Sequence, residues 1–588
     1  GDFYEYTPEG LLKCAISAGM RYAYEYDEMG RMTRKSASGR TLLALEYDRN
    51  GNKVRQIDVT GKLTGFDYDP MGQLLRLTDD GQELAAYTYN PDGTPRAVAH
   101  GPIRQEYAYD LDKNLTGLTV RSGETLLSQT GYAYDGNGNR IRKQALDGTT
   151  LYQYDALNQL QRVDYPAYSE ELFYDKAGNR ARRLVGGEEE LYQYDPRNRL
   201  MALTRGGVTT PFQYDNAGNL LRDDKARYSY DAFNRTVKVE SFDGNVQVNR
   251  YDAEGLRHEM EENGRLVRFI FHKGEAVAEQ EENSNVIRLI RGSELIARSS
   301  DSESARTYYH YASDEMGSTT HIVDESGNVQ NRYAYDAWGR IEVKEEAVPN
   351  RFTYYGQQID PITQQYYLRA RFYNPVIGRF TQEDTYRGDG LNLYAYCANN
   401  PVYYVDPSGF ASDKLWPNEL ASGTYKQLLD LLENATKSHL TPHHTPADLY
   451  MRTNYGISKP FGWAISLETT YLNPGGRHGK TATYGGNFSG DFKKWYLSLS
   501  PRDALAFDIR NIQNILKEQG LYDSNARRLL REHIHNVVNA RFTSDPDIVS
   551  RPDFSGKKVE NAAIFSKDYQ DYKPKDCVLN EFKCPKKG

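Results

Sequence analysis

The chain has 588 residues, of which 38% are hydrophobic, with a mean hydropathy of -0.77. That length allows several domains, but the composition argues against a single compact enzyme core rich in Leu, Ile and Val. The formal net charge of -8 is unevenly spread: residues 1–410 carry 48 basic against 61 acidic side chains, and residues 411–588 carry 25 against 20. An acidic first part with a basic tail suits a tail that handles an anionic partner. No apolar run approaches membrane-spanning length, so stable membrane insertion is not expected. Cys14, Cys397, Cys577 and Cys584 form no C-x-x-C pair, which leaves no legible disulfide framework or thiolate zinc site.

The first elements are repeats. Tyr-Asp or Tyr-Asn pairs begin at Tyr26, Tyr47, Tyr68, Tyr89, Tyr109, Tyr134, Tyr154, Tyr174, Tyr194, Tyr214, Tyr230 and Tyr251, mostly 20 or 21 residues apart. Each unit reads as a β-hairpin. Alternation such as Tyr152-Gln153-Tyr154 puts two aromatics on one strand face. Asp155 then opens a turn by accepting amide hydrogen bonds just ahead of it, and a Gly or Asn three or four residues on supplies positive φ. A lone hairpin cannot bury its aromatic face, so neighbours must stack into a long, spiralling sheet. The 48 Tyr against 20 Phe suit strands with one wetted side. The chain starts within this pattern, at YEYTPEG, and reads as part of something longer.

The period loosens near Ser313, one more unit (YDAWGR) begins at Tyr335, and a denser segment fills residues 354–410. Beyond Phe410 the texture changes. Ser500-Pro501-Arg502-Asp503 predicts a helix start, with Leu505, Ile509, Ile512 and Leu516 on one face and Gly520 at the end. A second helix is expected over 524–541. The tail is thus a separate α/β domain, and six of the chain's eleven histidines lie in it: His439, His443, His444, His478, His533 and His535. His533 and His535 lie on opposite sides of the second helix and are poor joint ligands. Arg527, Arg528, Arg531, Lys586 and Lys587 are either phosphate contacts or a solvated basic face.

The repeats, together with GRF, GLNLY and NPVYYVDPSG at these spacings, resemble the Rhs/YD-repeat family over residues 1–410. The resemblance implies a mainly β architecture: a spiralling YD-repeat shell over 1–340, a core-terminal autoproteolysis region over 341–410, and an enclosed C-terminal toxin domain over 411–588. It implies a cut after the D-P-x-G-hydrophobic motif Asp406-Pro407-Ser408-Gly409-Phe410, at the Phe410–Ala411 bond. It also implies a second catalytic aspartate 22 positions earlier, which is Asp384, although its context is Asp-Thr-Tyr-Arg rather than Asp-Pro-x-Gly. Two carboxylates held close cannot both ionise easily, so one activates water while the other donates a proton. Arg379 and Asp389 are candidates for supporting the two aspartates.

In the tail, Leu440-Thr441-Pro442-His443-His444 and the later Arg477-His478-Gly479-Lys480-Thr481 resemble HNH/endonuclease VII-like toxin domains. That resemblance implies His443 and His478 as ligands of a divalent ion (Mg, Zn, Ni or Mn) and His444 as general base, with Asn473 as a candidate middle residue. The expected substrate is then nucleic acid. The expected partners are a cognate immunity protein and a type VI secretion spike or PAAR/VgrG-type carrier reached through an upstream region. The protein would be made in the producer's cytoplasm, secreted and delivered into target cells. Competing readings are another toxin chemistry on the same shell, either a deaminase (whose C-x-x-C ligands are missing) or an ADP-ribosyltransferase, and a non-enzymatic surface protein.

Overall fold

The computed structural model describes residues 3–385 apart from 9, 18–19 and 302–305; residues 392–409; and, beyond these, 422–425, 428, 440–455, 457–459, 463–468, 481–483, 490–518 and the single positions 526, 529, 530, 533, 534, 537 and 540. The chain divides into two compact units, Gly1–Thr385 with Leu391–Ser412, and Tyr386–Gly390 with Asp413–Gly588.

The first unit is almost wholly antiparallel β. Among the described residues, 21 strands from Phe3–Tyr6 to Val208–Pro211 form one sheet, and 14 strands from Gln213–Tyr214 to Ile341–Glu346 form a second. In both, each strand pairs with the next in the chain, as a string of local hairpins must.

The Tyr-Asp turn explains the repeat. At Asp155, Oδ1 accepts the backbone N–H groups of Leu157 (2.8 Å) and Gln159 (2.9 Å), and Oδ2 accepts the Gln159 side chain (2.9 Å). Asn158, at φ 59°, takes the left-handed conformation that Gly takes in sister turns. The preceding tyrosine has its own task. Tyr154 OH donates to Arg140 O (2.7 Å), Tyr174 to Leu160 O (2.7 Å), Tyr194 to Arg180 O (2.9 Å) and Tyr251 to Thr236 O (2.8 Å), each reaching back to the preceding unit. The strands do alternate buried and exposed positions, and the Tyr hydroxyls also satisfy carbonyls between units, a bond Phe cannot make.

The two sheets pack on each other through separate small cores rather than one continuous one. Tyr22 and Tyr24 meet Ala253 and Ile270, Leu77 and Tyr87 meet Ile290 and Ile296, and Leu118 and Tyr132 meet Ala312 and Val323. Buried ion pairs cross between them: Arg288 binds Asp58 and Asp79, and Glu315 binds Arg140, Lys143 and Tyr132. After the second sheet comes a small meander of Gln358–Ile359, Tyr366–Tyr367, Phe372–Asn374 and Arg379–Phe380, cored by Tyr366, Tyr373, Phe380 and Tyr396.

The second unit is α/β. Strand Trp463–Glu468 is flanked by Ser422–Thr424 and Leu440–His444. Helices α1 (Asp448–Tyr455), α2 (Gly490–Leu497) and α3 (Pro501–Glu518) supply most of its core. Ser500 Oγ caps α3 by accepting Asp503 N–H (3.2 Å), and Leu505, Ile509, Ile512 and Leu516 are all buried. Gly520 lies outside the described residues. In the expected second helix, the described positions 526, 529, 530, 533, 534 and 537 are helical.

Candidate functional site

Asp384 follows strand Arg379–Phe380, and its backbone N–H donates to Leu393 O (3.0 Å). Asp406 opens a turn of its own: its Oδ1 accepts Ser408 N–H (3.1 Å) and Gly409 N–H (2.7 Å). Both side chains are buried, and both reach the buried guanidinium of Arg371, at the start of strand Phe372–Asn374. Arg371 Nη2 lies 2.7 Å from Asp384 Oδ2 and 3.8 Å from Asp406 Oδ2. The other guanidinium nitrogens are used as well: Nη1 donates to Leu393 O (3.0 Å) and Nε donates to Gly409 O. The guanidinium lies over the Phe380 ring, 3.6 Å from its centroid, which keeps water off one face.

Burial pushes the Asp406 carboxyl above the usual carboxylate range; the Arg371 charge and the amides of Gly409 and Ser408 oppose that rise. Asp384 makes the closer ion pair.

Gly409 is there by necessity. Its φ is +75°, and an added Cβ would come within 2.5 Å of Leu368 O and 2.9 Å of Arg371 N. The chain just before the expected cleavage bond therefore lies flush against the segment that carries Arg371. Phe410 and Ala411 themselves lie outside the described residues, as does Asp389. Arg379 reaches other partners: it donates to Asn198 O and lies over the rings of Tyr194 and Tyr394. The group that links the aspartates is Arg371, which sequence reasoning missed. Arg369 and Arg371 lie two apart in the turn between strands Tyr366–Tyr367 and Phe372–Asn374, and nothing local says which of the two turns toward the aspartates; Arg369, at φ 65°, goes to Gly274 O and Glu275.

In the second unit, His443 and His444 are buried neighbours on strand Leu440–His444, and so face opposite sides. His443 Nε2 lies 3.3 Å from Thr483 Oγ1, which lies 3.4 Å from Asp508 Oδ1 on α3. Asp508 also accepts from Tyr496 OH, and burial raises its carboxyl to about 8. His444 stacks on Tyr425, with ring centroids 4.5 Å apart, and its Nε2 lies 2.9 Å from Lys459 O. Burial lowers its proton affinity. His533 is fully buried against Thr445 and pushed down to about 3, as befits a packing residue. Among the described residues no group of three His, Cys, Asp or Glu could hold a metal ion, so the described set alone does not make a metal centre. The other expected ligand, His478, and Asn473 lie outside the described residues, with His439, His535, Arg527, Arg528, Arg531, Lys586, Lys587, Cys577 and Cys584. No described helix is long and apolar enough to cross a membrane.

Two long meanders of Tyr-Asp turns, closed by a dense aromatic segment, define a YD-repeat β-shell. The family model described as the Teneurin YD-shell matches residues 142–402. The tRNA3(Ser)-specific nuclease WapA of Bacillus spizizenii is 34% identical over 201 residues, 32% of this chain and 8% of that protein. Double-stranded DNA deaminase toxin A of Burkholderia cenocepacia is 36% identical over 127 residues, 20% of this chain and 9% of that one. The YibJ protein of Escherichia coli is 33% identical over 171 residues, 28% of this chain and 72% of YibJ. The crystal structure of TcdB2-TccC3 shares the fold at a TM-score of 0.56 and 18% identity, covering 70% of this chain and 26% of that one. The chain belongs to the Rhs/YD-repeat shell family. The chain spans less than a tenth of the length of WapA and of the deaminase toxin.

Proposed function

We propose that residues 1–410 are a shell that cuts its own chain at Phe410–Ala411 and frees residues 411–588 as an enzymatic toxin. The observation that carries this reading is the convergence of Asp384, Asp406 and the Gly409 carbonyl on the single guanidinium of Arg371, one residue before that bond. Asp384, ionised in its close ion pair, takes a proton from a water that attacks the Phe410 carbonyl carbon. Asp406, whose hold on a proton is raised by burial, gives its proton to the Ala411 nitrogen as the C–N bond breaks. The products are a carboxyl group on Phe410 and a free amine on Ala411. Arg371 binds the carbonyl next to the bond and keeps both carboxylates near it.

The released domain reads as a metal-dependent nuclease, with His444 as base and His443 and His478 as ligands. A bound Mg, Mn, Ni or Zn ion would supply charge stabilisation at the phosphate. The name of WapA, a nuclease, favours this. The deaminase toxin shows that relatives sharing the repeats can bear other chemistry, so a deaminase or ADP-ribosyltransferase is the second reading; no C-x-x-C pair supports the deaminase. Enclosure of the toxin by the shell, delivery into target cells by a secretion carrier and neutralisation by an immunity protein belong to the same proposal. The test is to express the full chain and its Asp384→Asn and Asp406→Asn variants. Wild type should yield two fragments, the second beginning at Ala411, and each variant one. Normal cleavage by both variants would end the paired-aspartate assignment.

A further inference from the structure

Every Tyr-Asp turn uses its backbone in the same way. The Asp N–H donates to the carbonyl four residues on, and the N–H three residues on donates back to the Asp carbonyl, as in Asp155 with Gln159 and Asn158. The carbonyl of that third residue is left facing the turn edge. Within a sheet, successive turns lie two strands apart, roughly 10 Å, so the edge carries a row of acceptors that runs from the first sheet (turns at 158, 178 and 198) into the second (turns at 218 and 234).

Five consecutive acceptors of this row are taken by one stretch of chain, residues 379–400. Asn400 Nδ2 donates to Asn158 O (3.0 Å), and Asn399 Nδ2 donates to Gly178 O (2.7 Å). Arg379 donates to Asn198 O. Tyr394 OH (2.8 Å) and the Glu383 N–H (3.2 Å) both donate to Gly218 O. Gln382 Nε2 reaches Asn234 O (3.3 Å). The side chains add a second row, in which Asn399 meets Gln159 Oε1 (2.9 Å), Asn400 meets Asn139 Oδ1 (3.2 Å) and Asn392 meets Asn179 Oδ1 (2.8 Å).

The two aspartates hang from opposite ends of this row. Asp384 directly follows Gln382 and Glu383, docked on the turns at 218 and 234. Asp406 comes six residues after Asn400, docked on the turns at 139 and 158. The spacing of the repeats therefore sets how far apart the two ends are held. We propose that the turn edge is a ruler for self-cleavage, and that Asn392, Asn399 and Asn400 are positioning residues that bring Asp406 to Arg371 and Asp384. This rests on the self-cleavage reading above. It gives the repeats a role in the chemistry: a misplacement of about 1 Å in a reacting group can cost on the order of a hundredfold in rate.

The test follows the full chain during cell-free synthesis. Translation is stopped and the fraction cleaved is chased over time, from acid to mildly alkaline pH. Asn399→Ala and Asn400→Ala should slow cleavage at least about tenfold and move the alkaline limb of the pH–rate profile to lower pH, because Asp406 is less firmly buried. A purely structural loss would reduce the amount of folded chain but leave the profile of the folded fraction in place. Asn392→Ala, at a half-buried side chain, covers the case in which the buried variants fail to fold; it should slow cleavage in protein as protease-resistant as wild type. Wild-type rate and profile in the folded asparagine variants, with Asp384→Asn and Asp406→Asn inactive, would overturn the ruler alone. Cleavage by the aspartate variants would instead overturn the reading on which it rests.

Discussion

Asp384 and Asp406, 22 residues apart in the chain, share one nitrogen of Arg371, at 2.7 and 3.8 Å. The guanidinium is buried, stacked on Phe380 and tied to two backbone carbonyls, Leu393 O and Gly409 O. It therefore has little freedom to leave the pair. A planar fork is needed for this: a lysine ammonium carries the charge but cannot spread donors to two carboxylates and two carbonyls.

Arg371→Lys should accordingly leave a folded shell that cleaves on the order of a hundredfold more slowly or worse. Arg371→Ala should also destabilise the shell by about 3–5 kcal/mol, since it strands buried carboxylates without their counter-charge. Cleavage kinetics and chemical denaturation of the cleavage-dead chain measure the two effects separately. Wild-type cleavage by Arg371→Lys would show that charge alone suffices.

The pH dependence follows from Asp406. Burial raises its folded value above that of the unfolded chain. The stability its protonated form contributes is thus present below the unfolded value, about 3.9, and is lost as pH rises through the folded one. The acid role has the same sign: cleavage should be favoured at lower pH and fall as pH rises through the folded value of Asp406. Asp406→Asn should abolish the reaction at every pH. A rate that keeps rising with pH would assign the proton donor elsewhere.

Gly409→Ala tests how closely the chain must seat. At φ +75° an alanine pays roughly 1–2 kcal/mol for the left-handed conformation, and its Cβ would collide with backbone at Leu368 and Arg371. Backbone cannot swing aside as a side-chain tip can, so the strand should lift and the Phe410–Ala411 bond should move off the carboxylates. The expected outcome is a largely uncleaved chain with the repeats still folded, read by fragment size and by circular dichroism. Normal cleavage would mean that the bond is placed by other contacts.

The repeat was legible in the sequence because its cause is local. Asp155, Asn158 and Gln159 make their bonds within five residues, and the period exposes them. Helix α3 was legible for the same reason, since Ser500 caps its own helix. The aspartate pair came from the resemblance, while Arg371 came only from the fold, because its position depends on three turns of chain returning to one point. The sheet-to-sheet ion pairs were equally hidden: Arg288 and Asp58 lie 230 residues apart, and no periodicity relates them. The partners of the Tyr hydroxyls were hidden too, because they are backbone carbonyls, which no side-chain pattern marks.

The last prediction concerns the histidine pair. His443 and His444 face opposite sides of strand Leu440–His444, so they cannot do the same job. His443 points to the Thr483 and Asp508 side, and Thr481 to Thr483 are the first described residues after His478. That segment is pinned to α3, where Ala482 N–H donates to Asn511 Oδ1 (2.8 Å). His444 is held by Tyr425 and Lys459 O, and under the nuclease proposal it is the base. Expressed in the cytoplasm of a sensitive bacterium, the wild-type full chain should be toxic and should degrade nucleic acid. His444→Ala should lose activity by roughly a hundredfold to ten-thousandfold while still binding the ion. His443→Ala and His478→Ala should lose both, measured by calorimetric titration with Mn²⁺ or Zn²⁺ and by gel assays of DNA and RNA. Chelation should silence the wild type and added metal restore it. Toxicity that persists in chelator with nucleic acids intact would remove the nuclease and leave the transferase-type chemistry as the reading to pursue.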